Sequence, residues 1–200
     1  MSLETLDQID QRLFIWLNHG PKFWLLDQCM LLLSSPWMWV GCIPLFSVLA
    51  YRYLNKTQTI HFVSATLITI ALADSIAFRI LKTSLQRLRP CYALTPDVQL
   101  LATSCGSEYG MPSNHAANSM AIAVIIWMAA RTEHTSPLCR WFRLGALGVA
   151  TLVGFSRIYL GVHYPGDVVA GFALGACLAW LTWNGQKKVL QRYHTHLAKP

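Results

Sequence analysis

The chain of 200 residues has a composition that excludes an ordinary soluble domain, because 54% of its residues are hydrophobic and only 12% are charged. In soluble domains roughly a quarter of the residues are charged. The formal net charge of +7 does not predict a nucleic-acid partner, since lysine and arginine also accumulate in the cytoplasmic loops of membrane proteins. The composition therefore predicts an integral membrane protein.

Residues 1–35 are predicted to form an amphipathic segment at the membrane interface. Apolar residues recur there at helical spacing, with acidic and amide residues between them. The apolar residues are Leu3, Leu6, Ile9, Leu13, Phe14 and Leu17, and the polar ones are Glu4, Asp7, Asp10 and Gln11. A second apolar piece, Phe23 to Leu33, is too short to cross a membrane alone. The segment lacks the basic start and cleavage site of a signal peptide.

Residues 36–185 are predicted to form an all-α, polytopic transmembrane bundle of about five spans. A span needs about 17–25 apolar residues. The candidate stretches run approximately from Trp37 to Tyr53, Ile60 to Leu81, Ala116 to Ala130, Trp141 to Arg157 and Val168 to Trp183. Residues 186–200 are interpreted as a basic cytoplasmic tail.

The distribution of lysine and arginine predicts how the bundle is oriented. If the five spans alternate, three basic connections fall on one face, which should be cytoplasmic. They contain Arg52 and Lys56, then Arg131, Arg140 and Arg143, and in the tail Lys187, Lys188, Arg192 and Lys199. The sequence therefore predicts a multi-pass protein of the inner membrane, with its polar motifs facing the periplasm or the cell exterior.

Two cysteines, Cys91 and Cys105, share the predicted outer loop. If that loop faces an oxidising compartment, a disulfide between them is chemically permitted. The alternative is a pair of unpaired thiols, and the sequence leaves both possibilities open.

The first polar motif, KTSLQRLRP, runs from Lys82 to Pro90 at the end of the second predicted span. Lys82 and Arg89 are about two helical turns apart, so we expect both to extend from one helix face, with Pro90 ending the helix. An arginine fork and a lysine ammonium together suit phosphate oxygens. Taken alone, the cluster is better explained by cations that reach lipid headgroups.

The second motif, Pro112 to His115, immediately precedes the third predicted span. A helix N-terminus offers free backbone N–H groups and the positive end of the helix dipole, which favour phosphate. Ser113 is expected to cap this helix and to donate its hydroxyl to a phosphate oxygen. His115 is placed to protonate a leaving group, although a polar residue at an interface is the plainer interpretation.

The third motif, SRIYLGVHYPGD, contains Arg157, His163 and Asp167 within eleven residues. Asp167 lies four residues after His163, close enough to accept a hydrogen bond from one imidazole nitrogen. The other nitrogen is then free to attack phosphorus. The alternative is a polar outer loop with an aspartate that caps the last helix.

Together the three motifs supply what phosphoryl transfer requires, namely fixed cations, a nucleophile and a proton donor on one membrane face. The predicted roles are a cationic cage from Lys82, Arg89 and Arg157, a nucleophile in His163, its orienting partner in Asp167, and a proton donor in His115.

In order, spacing and orientation the motifs resemble those of the type-2 phosphatidic acid phosphatase superfamily of membrane lipid phosphatases, which shares its active site with vanadium haloperoxidases. That family has Lys, six residues, Arg-Pro, then Pro-Ser-Gly-His, then Ser-Arg, five residues, His, three residues, Asp. Asn114 replaces the usual glycine, and we expect activity to survive because asparagine keeps the backbone N–H and tolerates unusual backbone angles.

The resemblance implies a helical membrane bundle and metal-independent hydrolysis through a phosphohistidine on His163, without a cofactor. It also implies that Ser113, Asn114 and Ser156 assist phosphate binding through hydroxyl or backbone donors. The first substrate expected is undecaprenyl diphosphate, which needs an outer-face site. Phosphatidylglycerol phosphate, phosphatidic acid and the 1-phosphate of lipid A are alternatives.

Other functions remain open at this stage. A phosphotransferase that passes phosphate to a second lipid would carry the same motif residues. A non-catalytic lipid-phosphate binding or transport protein would have little use for both His115 and His163. A haloperoxidase is disfavoured by the predicted spans. The sequence predicts neither a nucleic-acid partner nor an oligomeric state.

Two features within the spans are interpreted as structural. Asp74 and Arg79 lie inside the second predicted span, where we expect a pairing with each other or with a motif arginine. Gly171 and Gly175 have the spacing of small residues that allow close helix packing inside the bundle.

Overall fold

The computed structural model describes residues 2–35, 55–130 and 137–197, together with positions 41, 44, 48, 51 and 52. The helices are α1 (Leu3–Asn18), α2 (Trp24–Ser34), α3 (Lys56–Ile76), α4 (Lys82–Leu85), α5 (Pro90–Ala93), α6 (Asn114–Ala129), α7 (Pro137–Tyr159) and α8 (Pro165–Leu197). A five-residue π-helix, Ala77–Leu81, joins α3 to α4. Across the described residues the chain forms no strand, and a single isolated bridge pairs Leu88 with Tyr109. The predicted all-α class is confirmed.

Two helical segments of the described chain are long and apolar enough to cross a membrane, Lys56–Leu85 and Pro165–Gln191. They correspond to the second and the last predicted spans. The first predicted span, Trp37 to Tyr53, lies largely outside the described residues. The third predicted span forms α6, whose 16 residues fall just short of the usual spanning length. The predicted count of about five spans is therefore not confirmed.

The outward faces of the long helices are apolar. Leu67 and Leu72 of α3, Leu152 of α7, and Val169 and Leu181 of α8 are each between 41% and 65% exposed. A soluble monomer rarely exposes so much apolar surface, whereas helices that face lipid do so routinely, because only their backbone polar groups need internal partners. These surfaces agree with the membrane setting that the composition predicts.

Helix α6 is the centre of the bundle and packs against α3, α7 and α8. Its buried residues join those of α3 and α8 in one cluster, which consists of Phe62, Ala65, Ala121, Ile122, Ile125, Ile126, Ala129, Ala179 and Trp183. Gly171 and Gly175 of α8 lie directly against the backbone of Ser113 and Ala117 in and before α6. These glycines allow the close helix packing that their spacing predicts.

Helix α1 is docked onto the end of the bundle where α7 ends and α8 begins. Phe14 is fully buried, and its ring meets that of Tyr164 edge-on at 5.4 Å between centroids. Asn18 is also fully buried, and its amide nitrogen donates to the carbonyl oxygens of Gln99 and Tyr159, both at 3.1 Å. These contacts fix α1 to the loop and helix that carry the third motif.

In a simple amphipathic helix the apolar face packs on the protein and the polar face is solvated, and α1 departs from this arrangement. Ile9 is 50% exposed and Trp16 is 72% exposed, while Asp7 and Asp10 form ion pairs with Arg87 of the bundle. The acidic side chains therefore turn toward the protein and part of the apolar face turns outward. An outward apolar face is what a helix at a membrane interface presents to lipid.

Candidate active site

The three sequence motifs converge at one end of the bundle, where helices begin or end. Lys82 opens α4, His115 lies in the first turn of α6, Arg157 lies in the last turn of α7, and Asp167 lies in the first turn of α8. His163 is in the short connection between α7 and α8. The fold thus gathers side chains that are up to 85 residues apart in the sequence.

His163 and Asp167 form the pair that their spacing predicts. The Nδ1 atom of His163 is 3.3 Å from Oδ2 of Asp167, and the backbone N–H of Tyr164 donates to the same oxygen at 3.1 Å. His163 is 2% exposed, and Asp167 is fully buried. Since a carboxylate oxygen only accepts, this contact assigns the imidazole proton to Nδ1 and leaves a lone pair on Nε2.

Arg89 lies on the other side of the His163 ring. Its Nη1 atom donates to His163 Nε2 at 2.7 Å and to the carbonyl oxygen of Val162 at 3.2 Å. Its Nε atom donates to the carbonyl oxygen of Ser107 at 2.6 Å. These bonds hold the guanidinium in a buried position, 6% exposed, beside the unprotonated nitrogen of the ring.

The surroundings of His163 favour its neutral form. Burial lowers the pKa of the imidazole well below 6.5, and the positive charges of Arg89, Arg157 and Lys82 lower it further. A neutral imidazole with its proton on Nδ1 is the form that can act as a nucleophile through Nε2.

The expected geometry of Lys82 and Arg89 is wrong, although their proximity is right. The helix ends at Leu85, and Gln86 then adopts the left-handed conformation with φ 48°. Arg89 precedes the short helix α5 and is held by the loop, where its backbone N–H donates to the carbonyl oxygen of Glu108 at 3.1 Å. A chain reversal therefore brings the two cations together in place of two turns of one helix.

Arg157 and Lys82 complete a group of three cations, of which Lys82 and Arg89 are buried and Arg157 is partly buried. Arg157 has a buried Nε atom without a hydrogen-bond partner among the described residues. Lys82 is 5% exposed, and its charge interacts with those of Arg89, Arg157 and Asp167. Like charges concentrated in a buried space repel one another, so this arrangement is suited to an anion that balances them.

The second motif caps α6 as predicted. The Ser113 hydroxyl accepts a hydrogen bond from the Ala116 N–H at 3.5 Å, and the Ser113 N–H donates to the carbonyl oxygen of Asp167 at 3.0 Å. The His115 side chain adjoins the backbone of Ser34, and the charges of the three cations act on it. The helix N-terminus and His115 therefore lie within the same charged cluster as His163.

The side chain of Asn114 has a partner that the sequence did not indicate. Its amide nitrogen donates to Oδ1 of Asp74 at 2.8 Å, and the amide nitrogen of Asn118 donates to the same oxygen at 3.0 Å. The expected pairing of Asp74 with Arg79 or with a motif arginine is not among the ion pairs of the described residues. The carboxylate instead fixes the first turn of α6, which carries His115.

Ser156 is fully buried, and its hydroxyl donates to the carbonyl oxygen of Val153 at 2.7 Å within its own helix. Its hydroxyl is thus engaged by the backbone of its own helix. Any contribution of Ser156 to phosphate binding stays a prediction.

Sequence reasoning missed three charged residues that adjoin the site, namely Arg87, Asp7 and Asp10. Arg87 stands within the first motif segment, but it points away from the cation cluster and donates to Oδ1 of Asp167 at 3.0 Å. Asp7 and Asp10 of α1 hold the same guanidinium. Their only sequence signal was the acidic face of α1, which is typical of a solvated surface.

The loop between the first two motifs is closed by a disulfide between Cys91 and Cys105, whose Cα atoms are 6.2 Å apart. Cys91 lies two residues after Arg89, and Cys105 lies two residues before Ser107. The bridge therefore ties together the two chain segments that are joined by the hydrogen bond from Arg89 to the Ser107 carbonyl oxygen. Of the two possibilities that the sequence left open, the structure has the bonded one.

Comparisons with known proteins agree in the kind of protein that they find, namely membrane lipid phosphatases. A model of the PAP2 superfamily matches residues 58–191. The chain is 30% identical to the lipid A 4'-phosphatase of Bacteroides thetaiotaomicron, over 99% of this chain and 86% of that protein. It is 31% identical to the undecaprenyl-diphosphatase of Sulfolobus acidocaldarius, over 70% of this chain and 61% of that protein.

A solved structure shows the same fold. The crystal structure of a transmembrane PAP2-type phosphatidylglycerolphosphate phosphatase from Bacillus subtilis matches with a TM-score of 0.72. The match covers 92% of this chain and 88% of the other, at 23% sequence identity.

Proposed function

Because this chain belongs to the PAP2 superfamily and is a lipid phosphate phosphatase, we propose that it works through a phosphohistidine intermediate on His163. The observation that carries this proposal is the pair of contacts to the imidazole. Asp167 accepts a hydrogen bond from the Nδ1–H, and the unprotonated Nε2 lies beside the Arg89 guanidinium. This is the arrangement of a nucleophile with an orienting partner.

In the first half-reaction, Nε2 of His163 attacks phosphorus and the bond from phosphorus to the lipid oxygen breaks. His115 gives a proton to that oxygen, so the lipid leaves as an alcohol, or as a lipid phosphate if the substrate is a diphosphate. The negative charge of the bound phosphate favours the protonated form of His115 before this step. Asp167 stabilises the positive charge that develops on the His163 ring.

In the second half-reaction, water attacks the phosphorus of the phosphohistidine and the bond from phosphorus to nitrogen breaks. His115 now accepts the proton of the attacking water, as microscopic reversibility requires of the same group. Inorganic phosphate leaves, and both histidines return to their starting forms. No metal ion enters either step of the proposal.

Lys82, Arg89 and Arg157 bind the non-bridging phosphate oxygens, where charge is shared in the transition state. Arg89 must give up its hydrogen bond to His163 Nε2 when phosphate binds, because that lone pair makes the new bond. The Ser113 hydroxyl and the free N–H groups at the start of α6, including that of Asn114, supply further donors. Ser156 is expected to help hold the phosphate as well.

We propose a phosphorylated glycolipid of the lipid A type as the first substrate. The supporting observation is the similarity to a lipid A 4'-phosphatase along nearly the whole of both chains. Undecaprenyl diphosphate, which the sequence placed first, is the second candidate and is supported by the relative from Sulfolobus acidocaldarius. Phosphatidylglycerol phosphate and phosphatidic acid complete the set of lipids to be tested.

For the membrane arrangement we propose about five spans within residues 36–185, an interfacial segment at 1–35 and a cytoplasmic tail at 186–200. The site would face the periplasm or the cell exterior across the inner membrane. Two observations support this orientation. Lysine and arginine collect in the opposite connections, and the Cys91–Cys105 bridge in the site loop suits an oxidising compartment.

Thiol labelling tests the orientation. One variant would keep Cys91 alone and another Cys139 alone, with the other cysteines changed to serine. In intact cells, a membrane-impermeant maleimide should label Cys91, and it should label Cys139 only after permeabilisation. Protection of Cys91 in intact cells together with labelling of Cys139 would reverse the proposed orientation.

The substrate is tested by phosphate release from the panel in detergent with EDTA, beside His163→Ala. We expect release that survives EDTA, is fastest with a lipid A phosphate and is abolished in the variant. Fastest release from undecaprenyl diphosphate would favour the second candidate. Transfer of phosphate to another lipid without release would favour a phosphotransferase, and binding without turnover would contradict the catalytic proposal.

A further inference from the structure

Arg87 lies between Asp167 of the proposed phosphate site and the acidic side chains of α1. It lies between Lys82 and Arg89 in the sequence, yet its guanidinium points to the side of Asp167 away from His163. Its Nη1 atom donates to Oδ1 of Asp167 at 3.0 Å, whereas His163 contacts Oδ2 of the same carboxylate. The two oxygens of Asp167 therefore have separate partners.

Helix α1 holds Arg87 in this position. Asp7 Oδ1 is 2.6 Å from Nη2 and Asp10 Oδ2 is 2.8 Å from Nη1. The other oxygen of Asp10 accepts the backbone N–H of Gly166, the residue before Asp167, at 2.8 Å. Asp10 thus fixes both the Arg87 guanidinium, which contacts Asp167, and the backbone next to Asp167.

The aromatic neighbours leave the guanidinium little freedom. Its central carbon is 4.3 Å from the centroid of the Tyr164 ring, and Tyr164 packs edge-on against Phe14 of α1. The Arg87 side chain is only 19% exposed. A planar fork that is held on its edges and on one face has a single orientation, which a flexible ammonium would not reproduce.

These contacts have a direct consequence for the His163 ring. A fully buried carboxylate needs a counter-charge, and a carboxylate bonded through only one oxygen can rotate about its last side-chain bond. Arg87 supplies the charge and blocks the rotation, while Asp7 and Asp10 hold its guanidinium beside Asp167. Without this support, Oδ2 of Asp167 would no longer keep the hydrogen bond that orients the His163 ring.

We propose that Arg87, fixed by Asp7 and Asp10 of α1, is a positioning residue that acts on the reaction through Asp167. It sets the orientation of the His163 imidazole and makes the N-terminal helix a part of the catalytic apparatus. The proposal rests on the phosphohistidine function proposed above. The substrate phosphate is bound by other cations, so the effect should appear in kcat more than in KM.

The test compares Arg87→Gln, Arg87→Lys and Asp10→Asn with the full-length wild type in detergent, using a lipid phosphate that the wild type hydrolyses. Glu4→Gln, an exposed acid of the same helix, is the matched control and should leave kcat unchanged. We expect Arg87→Gln to lower kcat by about 100-fold, as small misplacements of reacting groups do, with KM changed less than about 3-fold. Arg87→Lys and Asp10→Asn should fold and give intermediate values of kcat.

A purely structural ion pair would also lower activity, so the decisive readout is the combination with Asp167→Asn. If Arg87 acts through Asp167, Arg87→Gln should cost little further kcat in that background, because residues that act as a unit are not additive. Multiplicative losses, or an unchanged kcat in Arg87→Lys and Asp10→Asn, would overturn the proposal.

Failure of this inference differs from failure of the function on which it rests. An active wild type with an inactive His163→Ala and unaffected Arg87 variants would remove the positioning role alone. A fully active His163→Ala would remove the phosphohistidine function and the positioning role together.

Discussion

His163 is the residue whose environment decides the pH dependence of the reaction. Burial first, and then the charges of Arg89, Arg157 and Lys82, lower its pKa well below 6.5. A lowered pKa keeps the imidazole neutral, and therefore nucleophilic, to lower pH than in a free histidine. We expect kcat/KM, which reports the free enzyme, to lose activity through protonation of His163 only well below pH 6.5.

The control for this prediction is Arg89→Gln, which removes one of the neighbouring positive charges. The pKa of His163 should then rise, and the acid limb of the residual kcat/KM profile should move to higher pH. An acid limb near pH 6.5 in the wild type that does not move in the variant would contradict the assigned environment.

Asn114 allows a test of the one position that departs from the family pattern. Asn114→Gly keeps the backbone N–H at the start of α6 but removes the hydrogen bond to Asp74. We expect kcat within about 3-fold of wild type, since the cations and both histidines stay in place. The free energy of unfolding should fall by about 1–2 kcal/mol from the lost bond and the flexible glycine.

Thermal unfolding in detergent, measured beside kcat, checks the Asn114 prediction. A large loss of kcat with unchanged thermal stability would show that the Asn114 side chain takes part in the chemistry. Asn118→Ala removes the other amide bonded to Asp74 and leaves the motif intact, so it is the matched control.

Single residues also show how far a sequence can predict a site. Their types and spacing predicted that Lys82, Arg89, His115, His163 and Asp167 would lie close together, and the fold brings them together. Their catalytic roles stay predictions. The contacts of Arg87 were not predicted, because two of its carboxylate partners, Asp7 and Asp167, are each 80 residues away in the sequence. A single sequence gives no sign of which distant acid meets which arginine.

Between elements, the contact of α6 with α8 controls the distance between the second and third motifs. His115 is the second residue of α6, and Asp167 is the third residue of α8. A Cβ atom at Gly175 would collide with the backbone of Ala117. We expect Gly175→Ala to separate the helices, to lower stability by about 1–3 kcal/mol and to lower kcat.

Gly185→Ala is the matched control for Gly175→Ala, because it makes the same change in the same helix where nothing lies within 4 Å of the added Cβ. It should leave kcat unchanged and raise stability slightly, since alanine is the better helix former. Equal melting temperatures for the two variants would show that the close packing at Gly175 is not required.

The elements also show why part of the fold escaped prediction. Long apolar runs located α3, α6, α7 and α8, because burial against other helices or lipid requires such runs. The π-helix at Ala77–Leu81 and the left-handed Gln86 carry no glycine or proline that would mark them. The sequence pattern of α1 predicts that its acidic face is solvated. The orientation of α1 was missed because Asp7 and Asp10 pair with Arg87 instead.

The molecule is a helical bundle whose charged motif residues lie together at one end. Its apolar outer faces suit lipid. At the charged end, Ser107 accepts a hydrogen bond from Arg89, and α1 contacts Arg87. A lipid phosphate could therefore present its headgroup to the charged end while its chains remain against the apolar helices. On this arrangement the motif residues predict the reaction but not the lipid, since the described outer faces of the helices offer apolar surface to the chains.

The most direct test of the proposed mechanism is to trap the intermediate with a lipid carrying radioactive phosphate, quenched within a single turnover. We predict that labelled protein forms in the wild type, that the label is stable in alkali and lost in acid as expected of a phosphohistidine, and that it maps to the peptide with His163. His163→Ala should carry no label. Normal phosphate release without any labelled protein, or equal labelling of His163→Ala, would contradict the central role of His163.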